Sequence, residues 1–529
     1  MSGGILSTVT PPHRPCQDLE RQSEGLEDDA VHRFVLGEDD RPRRLSTEEA
    51  SRELGDAFAQ RLLINGTFPR TAGEVLSSIE EAVGAGDPLR VHQFFLVGEG
   101  SQIPPGSSPV ERNLRFLATC GTGPGGPDIM VSAFHPDQGT VEVMAWDERA
   151  AGFNYYRTVG RSSAWVFAGN SRHALSPPTR DNGPFESHKS GHFLMKELRL
   201  PWVNWDSPQA RIDPSVLADE GLLNHPWVRR LAIGGAYTLE EDVALPSIGR
   251  WTRARIAALL RGDALETPRR ILEQILDTPT VNLISSHTSS EAAVTGAASE
   301  VDLPDTFFVD SAALVGILEL KSPPTPFVAP SIYAKSLNNF AVTLTDGARF
   351  SRPGDTHFAF LVPERAFEDT ETLNQAIGQG IVSRRLAACL LMVDFPNPVF
   401  SAKRRRLLEH VPDTPISDSA EGFSKQVADA IRGSAAASQP GTAEHEFAAR
   451  WDVGEDFKDP FDDLLQAYYA SFAQRLQTQE GFDNYMRLAE SRRARVKDMP
   501  IAESPLLFAE TNVPRGERRM KEDGTIEEA

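Results

Sequence analysis

The stretch DIMVSAFHPDQGTVEVMAWDERAAGFNYYRTVG, residues 128–160, decides the predicted fold. It contains three short segments rich in β-branched and aromatic residues, which are typical of strands. The turns between them, such as HPDQG, are too short for a helical crossover, so neighbouring strands should run antiparallel. Similar segments flank this stretch, and the sequence therefore predicts an antiparallel β-meander over about residues 90–168. Helical spacing of apolar residues around the meander indicates an α+β fold class with a C-terminal helical region.

Composition and periodicity divide the chain into five predicted segments. In chain order they are a disordered leader (1–44), an α+β domain that holds the antiparallel sheet and a Trp/His-rich helical segment (45–321), a mixed α/β region (331–432), a C-terminal helical region (445–509) and a flexible tail (510–529). The leader and the tail are polar and lack apolar periodicity, which is typical of segments that bury little surface.

The charge balance limits the classes of partner. The chain of 529 residues has 54 Lys and Arg residues against 75 Asp and Glu residues, a formal net charge of −21. This acidity disfavours binding to nucleic acid or to anionic membranes. Cys16, Cys120 and Cys389 form no CxxC pair, and the sequence shows neither a secretory signal nor a membrane-length apolar run. We therefore predict a cytoplasmic protein with a small-molecule partner and no membrane partner.

Two histidines stand four residues apart in GPFESHKSGHFLMKELRLPWVNWD, residues 183–206. On a helix, positions i and i+4 share one face, so His188 and His192 are predicted to present both imidazoles to one metal ion. Zinc and iron commonly use such a pair with a third ligand, for which Glu197 or Glu186 offers a carboxylate. The zinc-protease pattern HExxH is absent, because a lysine takes the place of its glutamate.

Aromatic residues crowd the same part of the chain. Six of the seven tryptophans fall between positions 146 and 251, and Trp202, Trp205 and Tyr155 are the predicted walls of a pocket. A water-poor aromatic pocket with histidine ligands suits redox chemistry at iron or haem. The leading hypothesis is a cytoplasmic metal- or haem-dependent oxidoreductase that acts on a small molecule. The alternative is that these rings form ordinary core and that the chain is a non-enzymatic binding or scaffold protein.

A second constellation lies in PDTFFVDSAALVGILELK, residues 304–321. Residues 306–321 are predicted as strand, and alternation along a strand would point Glu319 and Lys321 to one face. The pattern PD followed by ExK resembles the core motif of a large superfamily of magnesium-dependent nucleases. The resemblance implies that Asp305 (or Asp310) and Glu319 hold Mg²⁺, which prefers oxygen ligands, and that Lys321 is the catalytic lysine. The acidic charge of the chain argues against a nucleic-acid substrate.

Three smaller features complete the candidates. The run KRRR at 403–406 predicts the solvated face of a helix, with an anion site as the alternative. The cluster SSHTSS at 285–290 predicts a helix cap or a turn. The apolar run around Cys389 predicts a buried and inert thiol, because burial raises the pKa of a thiol.

Overall fold

The structure is a computed structural model, and it describes residues 25–84, 86–98, 114–121, 125–160, 162–193, 217–218, 221–231, 236–261, 266–278, 281–346, 350–354, 358–413, 420–499 and 509–529. The chain divides into two compact units, residues 1–91 with 128–191 and residues 92–127 with 192–529. Both helices and a large mixed sheet are present, which confirms the α+β class.

The described strands are, in chain order, β1 (Val31–Arg33), β2 (Arg43–Arg44), β3 (Val91–Gly98), β4 (Leu114–Cys120), β5 (Ile129–His135), β6 (Gln138–Asp147), β7 (Gly152–Thr158), β8 (Trp165–Asn170), β9 (Val281–Ile284), β10 (Val301–Asp302), β11 (Phe327–Val328), β12 (Thr343–Asp346), β13 (Phe350–Pro353), β14 (Val362–Arg365), β15 (Arg518–Met520) and β16 (Ile526–Glu528).

The described α-helices are α1 (Thr47–Glu53), α2 (Ala57–Arg61), α3 (Ala72–Ala82), α4 (Pro226–Arg229), α5 (Ala236–Leu239), α6 (Leu245–Arg261), α7 (Pro268–Leu276), α8 (Ser290–Thr295), α9 (Pro330–Asn339), α10 (Phe367–Gly378), α11 (Arg384–Leu391), α12 (Ala402–Arg406), α13 (Ala420–Arg432), α14 (Ala443–Trp451), α15 (Lys458–Leu476) and α16 (Gln479–Lys497). No helix in these ranges is both long enough and apolar enough to cross a bilayer.

The first unit is built on six neighbouring strands in the order β2-β1-β8-β7-β6-β5. Strands β5 to β8 pair antiparallel in succession, which confirms the predicted meander in this part of the chain. Strand β1 pairs parallel with β8, Val31 lying opposite Trp165. The sheet is therefore mixed rather than purely antiparallel.

Part of the predicted leader, residues 1–44, belongs to this sheet. It contains β1 and β2, and Val31 of β1 and the following Phe34 and Val35 are buried, with at most 5% of each exposed. A strand of three residues is too short to show a period of two in the sequence. The predicted tail, residues 510–529, likewise contains the antiparallel pair β15 and β16.

The helix starts of the first unit follow the sequence signals. Ser46 Oγ accepts a hydrogen bond from the Glu49 N–H at 3.2 Å, and Glu49 Oε2 accepts one from the Ser46 N–H at 2.8 Å. This reciprocal pair is the predicted capping box of α1. Thr71 caps α3 by accepting from the Glu74 N–H at 3.1 Å, and the Glu74 carboxylate accepts from the Arg70 N–H at 2.7 Å.

A buried carboxylate joins α2 to the sheet. Asp56 accepts hydrogen bonds from the Ala59 N–H at 2.9 Å, from Asn154 Nδ2 at 2.7 Å and from the Tyr156 hydroxyl. Asp147, which is also buried, accepts from the same Asn154 amide at 3.2 Å. Burial disfavours the charged form of Asp56 more than these hydrogen bonds favour it, and it raises the pKa of Asp56 to about 6.

This pKa leads to an expected pH dependence. The pKa of Asp56 is about 6 in the folded unit and about 3.9 in an unfolded chain. The stability that Asp56 contributes is therefore full below about pH 4 and is lost as the pH rises through about 6. Asp56→Asn cannot titrate there. We expect the difference in free energy of unfolding between the two proteins to change by about 2 kcal/mol between pH 4 and pH 7.5.

Urea denaturation at a series of pH values measures this difference. Glu48→Gln, in the exposed first turn of α1, is the control and is expected to leave the profile of the wild type unchanged. Parallel pH profiles for the wild type and Asp56→Asn would contradict the assignment.

The second unit is mainly helical around one large apolar core. Phe308 stacks on Phe472 of α15 with ring centroids 4.4 Å apart, and it meets the edge of Tyr485 of α16 at 5.4 Å. The Tyr468 hydroxyl donates to the Phe308 carbonyl at 2.7 Å. These contacts confirm the predicted C-terminal helices and fix α16, whose last turns wall the cavity described below.

The prediction of strand over residues 306–321 was wrong. The segment forms a 3₁₀ turn at Asp305–Phe307 and a wide π-helical turn at Ala312–Ile317. Asp310 supports the second turn, since its Oδ1 accepts from the Ala313 N–H at 3.2 Å. A short apolar run that is buried on every side has no period that separates strand from helix.

Candidate functional site

The histidine pair does not lie on an α-helix. The stretch 183–193 folds into short 3₁₀ turns. Between the two histidines, Ser190 and Gly191 have φ angles of 56° and 76°, and this left-handed backbone breaks helical spacing. The premise that placed His188 and His192 on one helical face was therefore wrong.

His188 belongs to the aromatic core of the first unit. Its side chain is 8% exposed, and its ring centroid lies 5.2 Å from that of Tyr155. Tyr155 meets the edge of Phe185 at 5.3 Å. Burial raises the pKa of the Tyr155 phenol far above its ordinary value. These rings pack as core side chains do.

The other predicted metal ligands and pocket walls are placed only in part. Glu197, Trp202 and Trp205 lie outside the described residues, and burial raises the pKa of the half-buried Glu186. Within the described ranges, no group of three or more His, Cys, Asp and Glu side chains is arranged to hold a metal ion. The metal- or haem-dependent oxidoreductase stays a prediction from the sequence.

The residues of the nuclease-like motif make surface ion pairs. Glu319 has a φ angle of 62° and pairs with Lys458 at 2.6 Å. Lys321 is exposed, and its Nζ lies 4.0 Å from Asp462 Oδ2. Because Glu319 has left-handed backbone, it does not alternate with Lys321 along a strand. The strand geometry that would place Glu319 and Lys321 on one face is therefore not present. The nuclease function stays a prediction from the resemblance alone.

The two aspartates of that motif lie in different environments. Asp305 begins the 3₁₀ turn and is half-buried. Asp310 is buried, and its Oδ2 accepts a hydrogen bond from Arg365 Nε at 2.6 Å. Asp310 therefore has a structural partner in the core.

The SSHTSS cluster contains the predicted helix cap, because Ser289 Oγ accepts from the Ala292 N–H at 3.1 Å at the start of α8. Asp302 accepts hydrogen bonds from Ser286 Oγ at 2.6 Å, from the His287 N–H at 3.1 Å and from Thr288 Oγ1 at 3.0 Å. Burial opposes ionisation of Asp302, but these bonds and the His287 ring outweigh it and hold its pKa well below the ordinary value. The carboxylate organises the loop before α8.

The basic run at 403–406 is not simply a solvated face. Arg404 is 1% exposed, and its Nη2 donates to the carbonyls of Asn397 and Pro398, both at 2.9 Å. A buried arginine thus fixes the loop that precedes α12. Lys403, next to it, lies at the edge of a cavity.

This cavity, of about 870 Å³, lies within the second unit and within the range of about 300 to 1,000 Å³ that is usual for small-molecule sites. Three segments and one further residue wall it: residues 394–403, the end of α16 at 490–498, residues 513–519, and Ala529. The basic lining side chains are Lys403, Arg492, Arg495, Lys497, Arg515, Arg518 and Arg519. The acidic ones are Asp394, Glu490, Asp498 and Glu517. The side chains of this basic cavity therefore carry a surplus of positive charge in a chain whose formal net charge is −21.

Arg492 is the buried cation of the basic cavity. Its side chain is 4% exposed, and it donates to the carbonyls of Phe307 at 2.6 Å and Pro396 at 3.3 Å. Within the described part of the chain it has no carboxylate partner inside 4.0 Å. Burial lowers the pKa of Arg492 to about 10, so the guanidinium remains charged at neutral pH.

Most of the other cations in the cavity are neutralised within the protein. Five of these six form pairs: Arg495 with Glu517 at 3.2 Å, Lys497 with Glu490 at 3.5 Å, Arg519 with Glu527 at 2.5 Å, Arg518 with Glu528 at 4.0 Å, and Lys403 with Glu446. Arg515 differs, because it is exposed and makes no ion pair with any described residue. Arg492 and Arg515 are therefore the two cations with charge to offer a ligand.

The loop at 394–400 has an unusual backbone. Asp394 and Phe400 have φ angles of 52° and 61°, and a bulky residue in this region costs roughly 1–2 kcal/mol. Asp394 accepts from Ser401 Oγ at 2.6 Å and from Asn397 Nδ2 at 2.8 Å. Such strain tends to collect where a loop must present side chains in a set direction.

The basic cavity was not predicted from the sequence, although a signal for it exists there. Basic residues cluster at 403–406, at 492–497 and at 515–519 in an otherwise acidic chain. Only the first cluster was recognised as a candidate anion site, and the third was assigned to a flexible tail.

Comparison of the chain with protein-family models, with curated proteins and with solved structures found no match.

Proposed function

We propose that the second unit binds a small anionic molecule in the basic cavity. The observation that supports this function is the surplus of basic side chains around a cavity of ligand size, with Arg492 buried in its wall. This function corresponds to the binding-protein alternative predicted from the sequence, and it specifies that the small-molecule partner is an anion.

The electrostatics favour an anion. A buried charge without an opposite charge is costly, and a bound anion would offset part of that cost for Arg492. Arginine also presents its donors in a planar fork that matches phosphate and carboxylate oxygens. The carbonyls of Phe307 and Pro396 already hold the Arg492 fork in place, so little side-chain entropy is lost on binding.

Titration calorimetry of the full chain with inorganic phosphate and pyrophosphate, without divalent cations, tests the proposal. We expect saturable binding that is tighter for pyrophosphate and that weakens with added salt, since salt screens exposed charges. Arg515→Glu is expected to weaken pyrophosphate binding by roughly tenfold or more, because it replaces an attractive charge by a repulsive one.

Arg269→Glu is the matched control. Arg269 is exposed in α7 of the same unit and lies outside the lining of the cavity. The substitution changes the net charge equally, and affinity close to that of the wild type is expected. The proposal fails if neither anion binds the wild type, or if both variants lose affinity to the same extent.

A further inference from the structure

The basic cavity also has a wall suited to a flat ring. Phe400 lines it, and the guanidinium carbon of Arg495 lies 4.6 Å from the centre of the Phe400 ring. Val399, Val513 and Pro514 continue this wall as apolar residues. The cavity thus combines cations on one part of its surface with an aromatic and apolar face on another.

The direction of the Phe400 ring is set by its backbone. Its φ angle of 61° is unfavourable for a bulky residue, and its N–H donates to Thr278 Oγ1 at 3.3 Å. Arg404 holds the preceding carbonyls of Asn397 and Pro398. The loop therefore holds the ring toward the cavity at a cost in conformational energy.

We infer that the ligand of the basic cavity is a nucleoside phosphate, an inference that rests on the proposed function. Its phosphate groups lie against Arg515 and Arg492, and its base stacks on the platform formed by Phe400 and Arg495. Aromatic rings and arginine guanidinium planes both stack nucleobases, because each base has an extended π face. An anion without a ring would use the cations and leave this platform unused.

Affinities of the wild type for ADP, pyrophosphate and adenosine, measured by calorimetry without divalent cations, test the inference. We expect ADP to bind roughly tenfold tighter than pyrophosphate, since base stacking adds to the phosphate contacts. Adenosine, which lacks phosphate, is expected to bind more weakly than either. Phe400→Leu should lower the affinity for ADP much more than the affinity for pyrophosphate, so that the advantage of ADP is lost.

Phe327→Leu, which replaces an exposed ring of β11 outside the cavity, should keep the advantage of ADP. A second comparison needs no variant: AMP and ribose 5-phosphate differ by the base, and AMP should bind more tightly to the wild type. If pyrophosphate binds but ADP is no tighter, the nucleotide inference is overturned while the anion-binding function stands. If none of these compounds binds, the proposed function itself falls.

Discussion

Replacing Asp310 by alanine is expected to lower the free energy of unfolding of the second unit by about 3 to 5 kcal/mol, because it leaves a buried guanidinium without its carboxylate. The side chains of Asp310 and Arg365 are 6% and 3% exposed, and Arg365 Nε lies 2.6 Å from Asp310 Oδ2. The same carboxylate also accepts from the Ala313 N–H. Urea denaturation followed by far-ultraviolet circular dichroism measures the loss.

Two companion variants separate the causes of this loss. The double variant Asp310→Ala with Arg365→Leu should regain much of the stability, since it removes the isolated charge. Asp305→Ala, at the other aspartate of the nuclease-like motif, is expected to cost less than about 1 kcal/mol. An Asp310→Ala protein of wild-type stability that has lost a Mg²⁺-dependent nuclease activity would instead support the metal-ligand role.

Gly191→Ala is expected to destabilise the first unit by about 2 to 5 kcal/mol, from left-handed strain and overpacking together. The φ angle of Gly191 is 76°, and an added Cβ would lie 2.4 Å from the carbonyl oxygen of Ser171. Ser171 has little room to move, because its N–H donates to the Phe153 carbonyl at 2.9 Å. Hydrogen exchange of β7 and β8 reports the stability of this unit directly.

Gly139→Ala provides the matched control. Gly139 has nearly the same φ angle, 79°, but an added Cβ would have no atom within 4 Å. It should therefore show the cost of the backbone conformation alone, about 1–2 kcal/mol. Equal losses of stability in the two variants would show that the close approach to Ser171 adds nothing to the cost of Gly191→Ala.

The parts of the fold that could be predicted from sequence are those with local signals. A few neighbouring residues are enough to indicate the capping box of Ser46 and Glu49 and the short turns of the meander. Residues 304–321 carry no such signal, because Phe307, Phe308 and Val309 are all buried and a uniformly apolar run shows no period. The strand β1 was missed for a related reason, since three residues are too few.

The three basic clusters are visible in the sequence, but it could not be predicted that they line one cavity, because its walls are distant in the chain. Lys403, Arg492 and Arg515 meet only after α12, α16 and the following segment are packed together. The net charge of −21 hides this local surplus of basic residues. The histidine pair presents the opposite case, since its spacing suggested a site while Gly191 turns the backbone away from a helix.

The parallel pairing of β1 with β8 affects the order in which the strands of this sheet pair during folding. The Asp29 N–H donates to Ser163 Oγ at 3.0 Å across a separation of 134 residues. Hairpins between consecutive strands close short loops and form early, whereas a contact this remote is entropically expensive and forms late. During synthesis the edge of β8 would stay unpaired until β1 reaches it, although β1 precedes β8 in the chain and is made before it. Until β1 pairs with it, that edge of β8 is open to pairing with a strand of another chain.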